Sequence, residues 1–395
     1  MAAWYHRASW GLAKALYAPS LLMSSHVEAS GLEHLPEGPF LLMAGHANYL
    51  DPYVLGALGR GPIRYMANLE GVPPIKAAMA DLVGCYARRK GASDMASLRK
   101  TFELAASGDS IGIFPEGDRS WDGASVPIKP GCGKLARRLG LPLVLARQKG
   151  NYLARPRWAA KPRRGPWSVD FSVFGADEIA RMSDGLVEAL IAAIVAKDEI
   201  KEAQLEGRRF EGEDSAEGIG LLLWRCPVCG KTDGLRGRGD VISCQRCGSR
   251  WELDANCRVR PLNAPLSIHA AEIADLKDWH DWQVATLPEL AESEERGFPR
   301  LRSECVRLSR REGASARSMG FGRLYLRGRG EGAELVFEGG SSRAVFEAAY
   351  VRGFVDNFNA FSEFDYRGQR WRLEFGGDNA AKWAFALAGR SGVAA

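Results

Sequence analysis

The sequence predicts a mixed α/β fold, with an α/β sandwich in the first half and a β-rich domain at the C-terminus. Apolar runs and helical patterns alternate from Gly31 to Gly175, which is the order expected of an α/β sandwich. Two Cys-x-x-Cys pairs follow, and short apolar runs at close spacing fill the chain beyond residue 300. The 395 residues are enough for two or three domains.

Composition is that of a globular protein without a membrane-spanning segment. Hydrophobic residues make up 46% and charged residues 26% of the chain, and the net charge of +5 allows attraction to anionic surfaces without requiring it. No apolar run reaches the roughly 20 residues that a transmembrane helix needs. Eight cysteines, half of them in the two pairs, favour a metal site in a reducing compartment over disulfides. We therefore expect a cytoplasmic protein.

The first predicted element is a helix from Ala2 to Tyr17, which Pro19 should end or kink. Two Trp, two Tyr and three basic residues are typical of an amphipathic helix that lies in the lipid headgroup layer. The same pattern also fits a helix packed on its own domain, and both interpretations stay open.

A largely parallel sheet is predicted for the next region, because buried parallel strands are short, continuous apolar runs. The predicted strands are Phe40–Ala44, Ile63–Ala67, Ile111–Phe114, Leu141–Ala146 and Val169–Phe174, and helices are predicted at Met95–Ser107 and Gly133–Leu139.

Beyond this sheet, a long helix is predicted from Met182 to Gln204, and the segment Glu206–Gly218 has the composition of a linker.

The stretch from Gly45 to Pro52, Gly-His-Ala-Asn-Tyr-Leu-Asp-Pro, follows the first of these strands. Asp51 before Pro52 suits a helix start, since Asp caps free N–H groups and Pro is pre-set for the first helical turn. One turn of loop can fold the Asp51 carboxylate back onto the imidazole of His46. A histidine oriented by a carboxylate is a general base that can take a proton from a hydroxyl.

A second polar stretch follows another predicted strand. Residues Phe114–Ser120 read Phe-Pro-Glu-Gly-Asp-Arg-Ser. Because the carboxyl ends of parallel strands meet at one edge of a sheet, we expect this turn to lie near His46. The two stretches together resemble the glycerolipid acyltransferase family, in its lysophosphatidate acyltransferase group. Its four ordered blocks correspond to His46–Asp51, Gly84–Gly91, Phe114–Ser120 and Gly140–Leu145, within a resemblance that covers roughly Gly31 to Gly175.

The resemblance implies transfer of a fatty acyl group from acyl-CoA or acyl carrier protein to 1-acyl-glycerol-3-phosphate at a membrane surface. His46 would be the base and Asp51 its orienting partner, and the planar fork of Arg119 suits a phosphate. Lys90 stands where the family usually has Arg, and a point charge matches phosphate less well than a fork. Gly45 and Asn48 also depart from the family's usual Asn and Ser. The implied phosphate-binding residues are Arg88, Arg89, Lys90, Glu116, Gly117 and Arg119.

A basic run from Arg155 to Arg164 contains five Lys or Arg residues and no acid. It resembles the basic stretch that family members carry before their last strand. Contact with anionic lipid or with the anionic acyl donor is one interpretation, and a solvated surface is the other.

The two cysteine pairs are Cys226-x-x-Cys229 and Cys244-x-x-Cys247, each followed by Gly, and they resemble a zinc ribbon. Four thiolates bind Zn²⁺ tetrahedrally and add folding energy to a small segment, so we expect a structural metal, with iron left open. Four arginines and Trp251 nearby leave nucleic-acid binding as a less favoured alternative.

Beyond residue 260 the pattern predicts a helix from Ala270 to Ala291, seven short antiparallel strands, and a last helix that starts at Asp378. This arrangement resembles the pleckstrin-homology-like barrel, and its role would be lipid or protein docking, or packing alone. The predicted strands are Cys305–Leu308, Gly322–Leu326, Glu334–Phe337, Ala344–Glu347, Tyr350–Asn357, Phe361–Tyr366 and Gln369–Phe375.

The chain therefore divides into predicted segments with one leading function. We expect an acyltransferase with 1-acyl-glycerol-3-phosphate as acceptor, peripheral on the membrane. The alternatives are another lyso-lipid acceptor, or a degenerate acyltransferase that serves as a membrane- or partner-binding protein. The segments are an amphipathic helix (1–30), an acyltransferase domain (31–205), a linker (206–221), a zinc ribbon (222–257), a helical connector (258–300) and a β-barrel-like domain with a C-terminal helix (301–395).

Overall fold

The structure is a computed structural model, and it forms two compact units. The N-terminal unit comprises residues 1–157 and 162–212, and the C-terminal unit comprises residues 158–161 and 213–395. The boundary near residue 212 falls within the predicted linker. The structure describes residues 4–24, 26–68, 80, 84–88, 95–265, 272–292, 294–295, 298–299, 301–312, 315–328, 330–340, 342–357 and 361–388.

The N-terminal unit is built on a seven-stranded sheet with the order β1-β7-β6-β2-β5-β3-β4. All neighbouring strands are parallel except β6 and β7, which are antiparallel. The five predicted strands are present, and two short strands, β1 and β4, extend the sheet at its edges. The bounds are β1 Val27–Ser30, β2 Leu41–Ala44, β3 Ile63–Asn68, β4 Tyr86–Arg88, β5 Ser110–Ile113, β6 Leu143–Lys149 and β7 Trp167–Phe174.

Helices cover both faces of this sheet, which explains the unbroken apolar runs in its central strands. The helices of the unit are α1 Trp4–Ser24, α2 Asp51–Leu58, α3 Met95–Ala106, α4 Cys132–Leu139, α5 Asn151–Ala154, α6 Ala176–Arg181, α7 Asp184–Val195 and α8 Glu199–Leu205. Along β2, Leu41 and Met43 pack into one core with α4 and α7, while Leu42 and Ala44 pack into the other with α2.

The prediction that Pro19 ends the first helix is wrong, because α1 continues through it to Ser24. Pro19 lies on the exposed side of the helix, where the lost backbone hydrogen bond faces solvent. Tertiary contacts hold the helix on both sides of it. Lys14 Nζ donates to the Gly59 carbonyl at 2.6 Å, and Leu21 packs against the sheet core.

The single helix predicted from Met182 to Gln204 is also wrong, since the structure has two helices, α7 and α8, within that range. Each helix has its own N-terminal capping residue, which the pattern of apolar side chains did not reveal. The Ser183 side chain accepts a hydrogen bond from the Leu186 N–H, and the Asp198 side chain accepts one from the Lys201 N–H. The break between the helices places Lys197 in a loop.

The cysteine-rich part of the C-terminal unit is a four-stranded antiparallel sheet with two helices after it. Trp279, on the first helix, is fully buried, and its indole Nε1 donates to the Arg225 carbonyl at 3.0 Å. The single helix predicted from Ala270 to Ala291 is wrong in its bounds, because the structure has two helices that begin at Leu276 and Leu287. Residues 266–271 lie outside the described part. The elements are β8 Leu235–Arg238, β9 Val241–Cys244, β10 Arg250–Leu253, β11 Val259–Pro261, α9 Leu276–Ala285 and α10 Leu287–Glu292.

The remaining strands, apart from the short pair β12 Glu294–Glu295 and β13 Phe298–Pro299, form a seven-stranded antiparallel sheet of order β17-β16-β15-β14-β20-β19-β18. All seven predicted strands are present in it. The last helix starts at Ala381 rather than Asp378, because Asn379 accepts the Lys382 N–H while Asp378 accepts the Glu304 N–H. The bounds are β14 Arg302–Glu312, β15 Ser315–Arg327, β16 Glu334–Gly339, β17 Ser342–Glu347, β18 Val351–Asn357, β19 Phe361–Tyr366, β20 Gln369–Phe375 and α11 Ala381–Ala388.

Candidate active site

His46 and Asp51 form a hydrogen-bonded pair at the carboxyl end of β2. The Nδ1 atom of His46 lies 2.8 Å from Asp51 Oδ2, which also accepts the backbone N–H groups of Ala47 and Asn48 at 2.9 Å. The Asp51 side chain is fully buried, whereas 19% of the His46 side chain is exposed. With Nδ1–H directed at the carboxylate, Nε2 is the ring nitrogen that can accept a proton from a bound hydroxyl.

Two departures from the family pattern have a structural reason. Any side chain at position 45 would place its Cβ 3.0 Å from the Val195 carbonyl oxygen and 3.2 Å from Glu116 Oε1, so only Gly fits without a shift. Asn48 is buried and uses both ends of its amide. Its Oδ1 accepts the Leu50 N–H at 3.0 Å and its Nδ2 donates to the Asn151 carbonyl at 2.9 Å. Both substitutions therefore serve the shape of the loop.

The turn after β5 lies against this loop, because β5 is the sheet neighbour of β2. The Ser120 N–H donates to the His46 carbonyl at 2.9 Å. The Phe114 ring stacks on the His46 imidazole, with centroids 4.0 Å apart and planes inclined by 17°. Gly117 has a φ of +75°, so the tight turn needs a residue without a Cβ. The two polar stretches thus form one site.

Glu116 holds the His46 loop in place. Its Oε1 accepts the His46 N–H and its Oε2 accepts the Val126 N–H, each at 3.0 Å. Burial raises the pKa of Glu116 to about 7, against the lowering effect of those two N–H groups. Both side-chain oxygens of Glu116 face backbone donors, so Glu116 anchors the His46 loop. The assignment of Glu116 to the substrate phosphate stays a prediction.

Arg119 is the cation of this turn, and it is partly buried. Burial lowers its pKa to about 10, and the nearby guanidinium of Arg157 acts in the same direction. Arg119 therefore remains charged at neutral pH. The Arg157 guanidinium lies 3.7 Å from the centroid of the Trp121 ring and donates to the Arg119 carbonyl at 2.8 Å.

The basic run is mixed in exposure, since Lys161 and Arg164 are exposed and other members are covered. The Arg157 side chain is 1% exposed and Arg163 is buried. Lys161 forms an ion pair with Asp214, and both residues belong to the C-terminal unit. Arg155 lies over the ring of Tyr49 and donates to its hydroxyl at 2.8 Å. Arg155 and Arg157 therefore contact loops of the site, and contact of the run with lipid or with the acyl donor stays a prediction.

The predicted phosphate cluster of the second block lies largely outside the described residues. Arg88 ends strand β4, and its side chain, together with Arg89 and Lys90, falls in the undescribed part. Its role therefore stays a prediction.

Sequence reasoning missed a set of polar residues behind the His46–Asp51 pair. Asn151 Nδ2 donates to Asp51 Oδ1 at 2.9 Å, and Asn151 in turn contacts Lys197. These residues are far from His46 in sequence and belong to no recognisable motif. The one local signal was Asp198, a helix-capping residue that marks the break next to Lys197.

The four paired cysteines converge in the C-terminal unit, with all four sulfur atoms within 4.8 Å of one another. Cys226 lies 3.8 Å from Cys247, and Cys229 lies 3.8 Å from Cys244. Zn–S bonds of about 2.3 Å in a tetrahedron give sulfur separations of about 3.8 Å, so the donor set fits Zn²⁺. Gly230 and Gly248 have φ of +68° and +77°, which explains the Gly after each pair.

Trp251 does not fit the nucleic-acid alternative. Its side chain is only 2% exposed and packs against Trp279, with ring centroids 4.9 Å apart. A base cannot stack on a ring that is covered in this way.

The match to a protein family falls on the N-terminal unit. Residues 26–145 match the profile of the protein family described as Acyltransferase. A chloroplastic 1-acyl-sn-glycerol-3-phosphate acyltransferase of Brassica napus is 30% identical over 132 residues, which cover 30% of this chain and 35% of that protein. The 1-acyl-sn-glycerol-3-phosphate acyltransferase of Saccharomyces cerevisiae is 30% identical over 149 residues, 35% of this chain and 48% of that protein.

A solved structure is also similar, that of the 1-acyl-sn-glycerophosphate acyltransferase from Thermotoga maritima. It is 17% identical, with a TM-score of 0.41 over 50% of this chain and 83% of that one. The chain spans between about a third and about a half of the length of the curated relatives it matches. The profile match includes His46, Asp51, Glu116 and Arg119, and it ends within β6.

Proposed function

We propose that the chain is an O-acyltransferase that moves a fatty acyl group from acyl-CoA or acyl carrier protein to the hydroxyl of 1-acyl-glycerol-3-phosphate. The observation that carries this proposal is the His46–Asp51 pair, bonded at 2.8 Å within a segment that matches the Acyltransferase family. The relatives' names support the acceptor, since they are 1-acyl-sn-glycerol-3-phosphate acyltransferases.

The proposed reaction is a single base-assisted transfer. His46 Nε2 takes the proton of the acceptor hydroxyl as the hydroxyl oxygen attacks the thioester carbonyl carbon. The tetrahedral intermediate then breaks its C–S bond, and the departing thiolate takes up the proton from the imidazolium. Asp51 keeps the ring in the Nδ1–H tautomer and stabilises its charged form.

Arg119 is the proposed partner of the acceptor's phosphate. It lies two residues beyond Gly117 on the turn that contacts the His46 loop, and its guanidinium stays charged at neutral pH. A planar fork of N–H donors matches phosphate oxygens. Arg88, Arg89 and Lys90 remain proposed partners on the strength of the family resemblance.

Attachment to the membrane is proposed to involve α1. Leu12, Leu16 and Met23 are 66%, 74% and 76% exposed, and they follow one side of the helix. The opposite side packs on α2, the helix that begins with Asp51. Burial of this apolar stripe in the headgroup layer would hold the His46 site at the lipid surface. Within the described residues, no helix is long and apolar enough to cross a membrane.

The cysteine cluster is proposed to hold a structural Zn²⁺, or iron in the same tetrahedral thiolate set. The ion would link the turn Cys226–Cys229 to the turn Cys244–Cys247, beside short strands.

The seven-stranded antiparallel sheet with α11 supports the further proposal of a pleckstrin-homology-like domain for lipid or protein docking.

The decisive experiment measures transfer of labelled acyl groups to 1-acyl-glycerol-3-phosphate and, separately, to glycerol 3-phosphate, with acyl-CoA and with acyl carrier protein. The His46→Ala variant should lose transfer. His34→Ala is the matched control, because the His34 side chain is 70% exposed, and it should retain transfer. If the wild type uses neither acceptor with either donor, the assignment fails and other lyso-lipids become the next acceptors to test.

A further inference from the structure

A buried polar network lies behind the candidate active site. It consists of Asp51, Asn151, Lys197, Glu199 and Arg208. Asp51, Asn151 and Glu199 have no exposed surface, and Lys197 is 8% exposed. A buried lysine is rare unless its charge is fully paired, because its desolvation costs several kcal/mol.

The ammonium group of Lys197 uses its three N–H donors on three acceptors. Its Nζ lies 2.8 Å from the Gln148 carbonyl oxygen and 2.8 Å from Glu199 Oε2. Its third acceptor is Asn151 Oδ1. Arg208 Nη1 donates to Glu199 Oε1 at 2.6 Å, so the carboxylate of Glu199 bridges the two cations. Lys197 is therefore held rigidly on the side of Glu199.

This contact decides the orientation of the Asn151 amide. An ammonium group has no acceptor, so only the oxygen of Asn151 can face Lys197. The amide nitrogen must then face Asp51, and Nδ2 lies 2.9 Å from Asp51 Oδ1. A flipped amide would set N–H groups against the ammonium and an oxygen against the carboxylate, which is unfavourable at both ends.

The orientation of Asn151 completes the hydrogen bonds of Asp51. Oδ2 binds His46 and two backbone N–H groups, and Oδ1 binds Asn151. A carboxylate held at both oxygens cannot rotate away from the imidazole. Each donor also draws charge from the carboxylate and so limits how strongly it stabilises a protonated His46.

We propose that Lys197 is a positioning residue for the His46–Asp51 pair, acting through the amide of Asn151. Asn151 and Lys197 lie beyond residues 26–145, the segment that matches the Acyltransferase family. The expected change in the rate of acyl transfer rests on the proposed function. The expected effect of Lys197 on the titration of His46 can be measured without any substrate.

The test compares Lys197→Met with the wild type. Met keeps the length of the side chain and removes its charge and donors. Lys134→Met is the matched control, because Lys134 is exposed on α4. Two readouts are needed: the titration of the His46 ring by ¹⁵N NMR, assigned with His46→Ala, and the pH dependence of acyl transfer.

Loss of Lys197 frees the Asn151 amide to turn, so Asp51 loses a donor and a nearby positive charge. The His46 titration midpoint should move up by about half a pH unit or more, because the less solvated carboxylate stabilises the imidazolium better. The kcat value should fall about ten- to hundredfold while the acceptor KM stays within about twofold, since the base is misplaced but the phosphate contacts are not.

The NMR signal decides the matter, because other titratable groups also face the pair. Among the described residues these are Glu116 and Arg119 from the β5 turn and Tyr65 from β3. After burial, the charge of Asp51 also affects the pKa of Tyr65 and the pKa of Arg119. Glu116 has a pKa near 7 and contributes to any rate profile. A His46 midpoint that stays at the wild-type value in folded Lys197→Met would overturn the proposal.

Asn151→Leu provides a second route if Lys197→Met does not fold. Leu keeps a branched side chain, has no donor for Asp51 and adds no charge. The His46 midpoint should again rise, and an unchanged midpoint overturns the proposal. If the wild type transfers no acyl group, the proposed function fails, and the NMR titration still supports or overturns the link between Lys197 and His46.

Discussion

The backbone N–H of His46 donates to the buried carboxylate of Glu116, with 3.0 Å between nitrogen and oxygen. The proposed base is thus anchored through its main chain by one carboxylate, and through its imidazole by another, Asp51. The two carboxylates differ in their surroundings. Asp51 accepts three N–H groups besides the imidazole, whereas Glu116 accepts two and is raised in pKa by burial.

Asp51→Asn should abolish most of the acyl transfer. An amide can present its oxygen to only one side of the carboxylate site, so the bonds to His46, to two backbone N–H groups and to Asn151 cannot all persist. We expect kcat to fall about 10²- to 10⁴-fold, the range of general-base assistance. Steady-state kinetics with Asp177→Asn as a control, at an exposed site on α6, tests this. A kcat near that of the wild type would remove Asp51 from the mechanism.

The buried Glu116 should make the free energy of unfolding depend on pH. Its pKa is about 7 when folded and ordinarily about 4.5, so the unfolded chain loses this proton at lower pH than the folded chain does. The stabilisation from the protonated group is complete below about pH 4.5 and is lost as the pH rises through about 7. The shift corresponds to about 3 kcal/mol at most.

We therefore expect Glu116→Gln to flatten the pH profile between pH 5 and pH 8. The free energy of unfolding of the wild type should fall by about 2–3 kcal/mol more than that of the variant over this range. Urea unfolding at both pH values measures this difference. Glu103→Gln, whose side chain is 54% exposed in the native protein, is the control and should behave as the wild type. Parallel profiles for wild type and Glu116→Gln would contradict the prediction.

Arg119→Lys should weaken acceptor binding and leave the chemical step nearly intact. Lys keeps the positive charge and loses the planar fork, so we expect the acceptor KM to rise about tenfold with little change in kcat. Arg138→Lys, on the exposed side of α4, is the control. An unchanged acceptor KM would place the phosphate elsewhere in the site.

Removing the apolar stripe of α1 should weaken binding to lipid vesicles. Leu12 and Leu16 are largely exposed, and burial of one leucine side chain contributes about 1.5–3 kcal/mol. The double variant Leu12→Ser, Leu16→Ser should therefore bind vesicles at least about tenfold less in a co-sedimentation assay. Leu205→Ser is the control, because Leu205 is 87% exposed on α8. Equal sedimentation of the double variant and the control would rule out α1 as the anchor.

Cys226→Ser should release the metal from the C-terminal unit. Loss of one of four thiolates breaks the tetrahedral set, so metal per chain should fall from about one ion to near zero by elemental analysis, and the melting temperature should drop. Cys305→Ser is the matched control, since Cys305 is exposed and outside the cluster. The same analysis of the wild type distinguishes zinc from iron, and a wild type without either metal contradicts the prediction.

Where the signal is local, the sequence alone predicted the structure. The seven C-terminal strands, the five central strands of the parallel sheet and the start of α2 at Asp51 follow from apolar period and from turn residues and Pro52 nearby. The predicted capping role of Asp51 is wrong, because its carboxylate binds the N–H groups of Ala47 and Asn48, which precede the helix. His46 and Asp51 are five residues apart, so their pairing needed only one turn of loop. The glycines after each cysteine pair likewise mark a backbone with positive φ.

Tertiary contacts decided the rest, because they join residues that are far apart in the chain. The hydrogen bonds from the N–H groups of His46 and Val126 to Glu116 join segments that are far apart in the chain, and no local pattern predicted them. Pro19 did not end α1, since packing on both sides outweighs one lost hydrogen bond. Lys197 reaches the active site only because α7 and α8 return to the sheet there. Burial and partner identity are properties of the folded chain, and no local pattern encodes them.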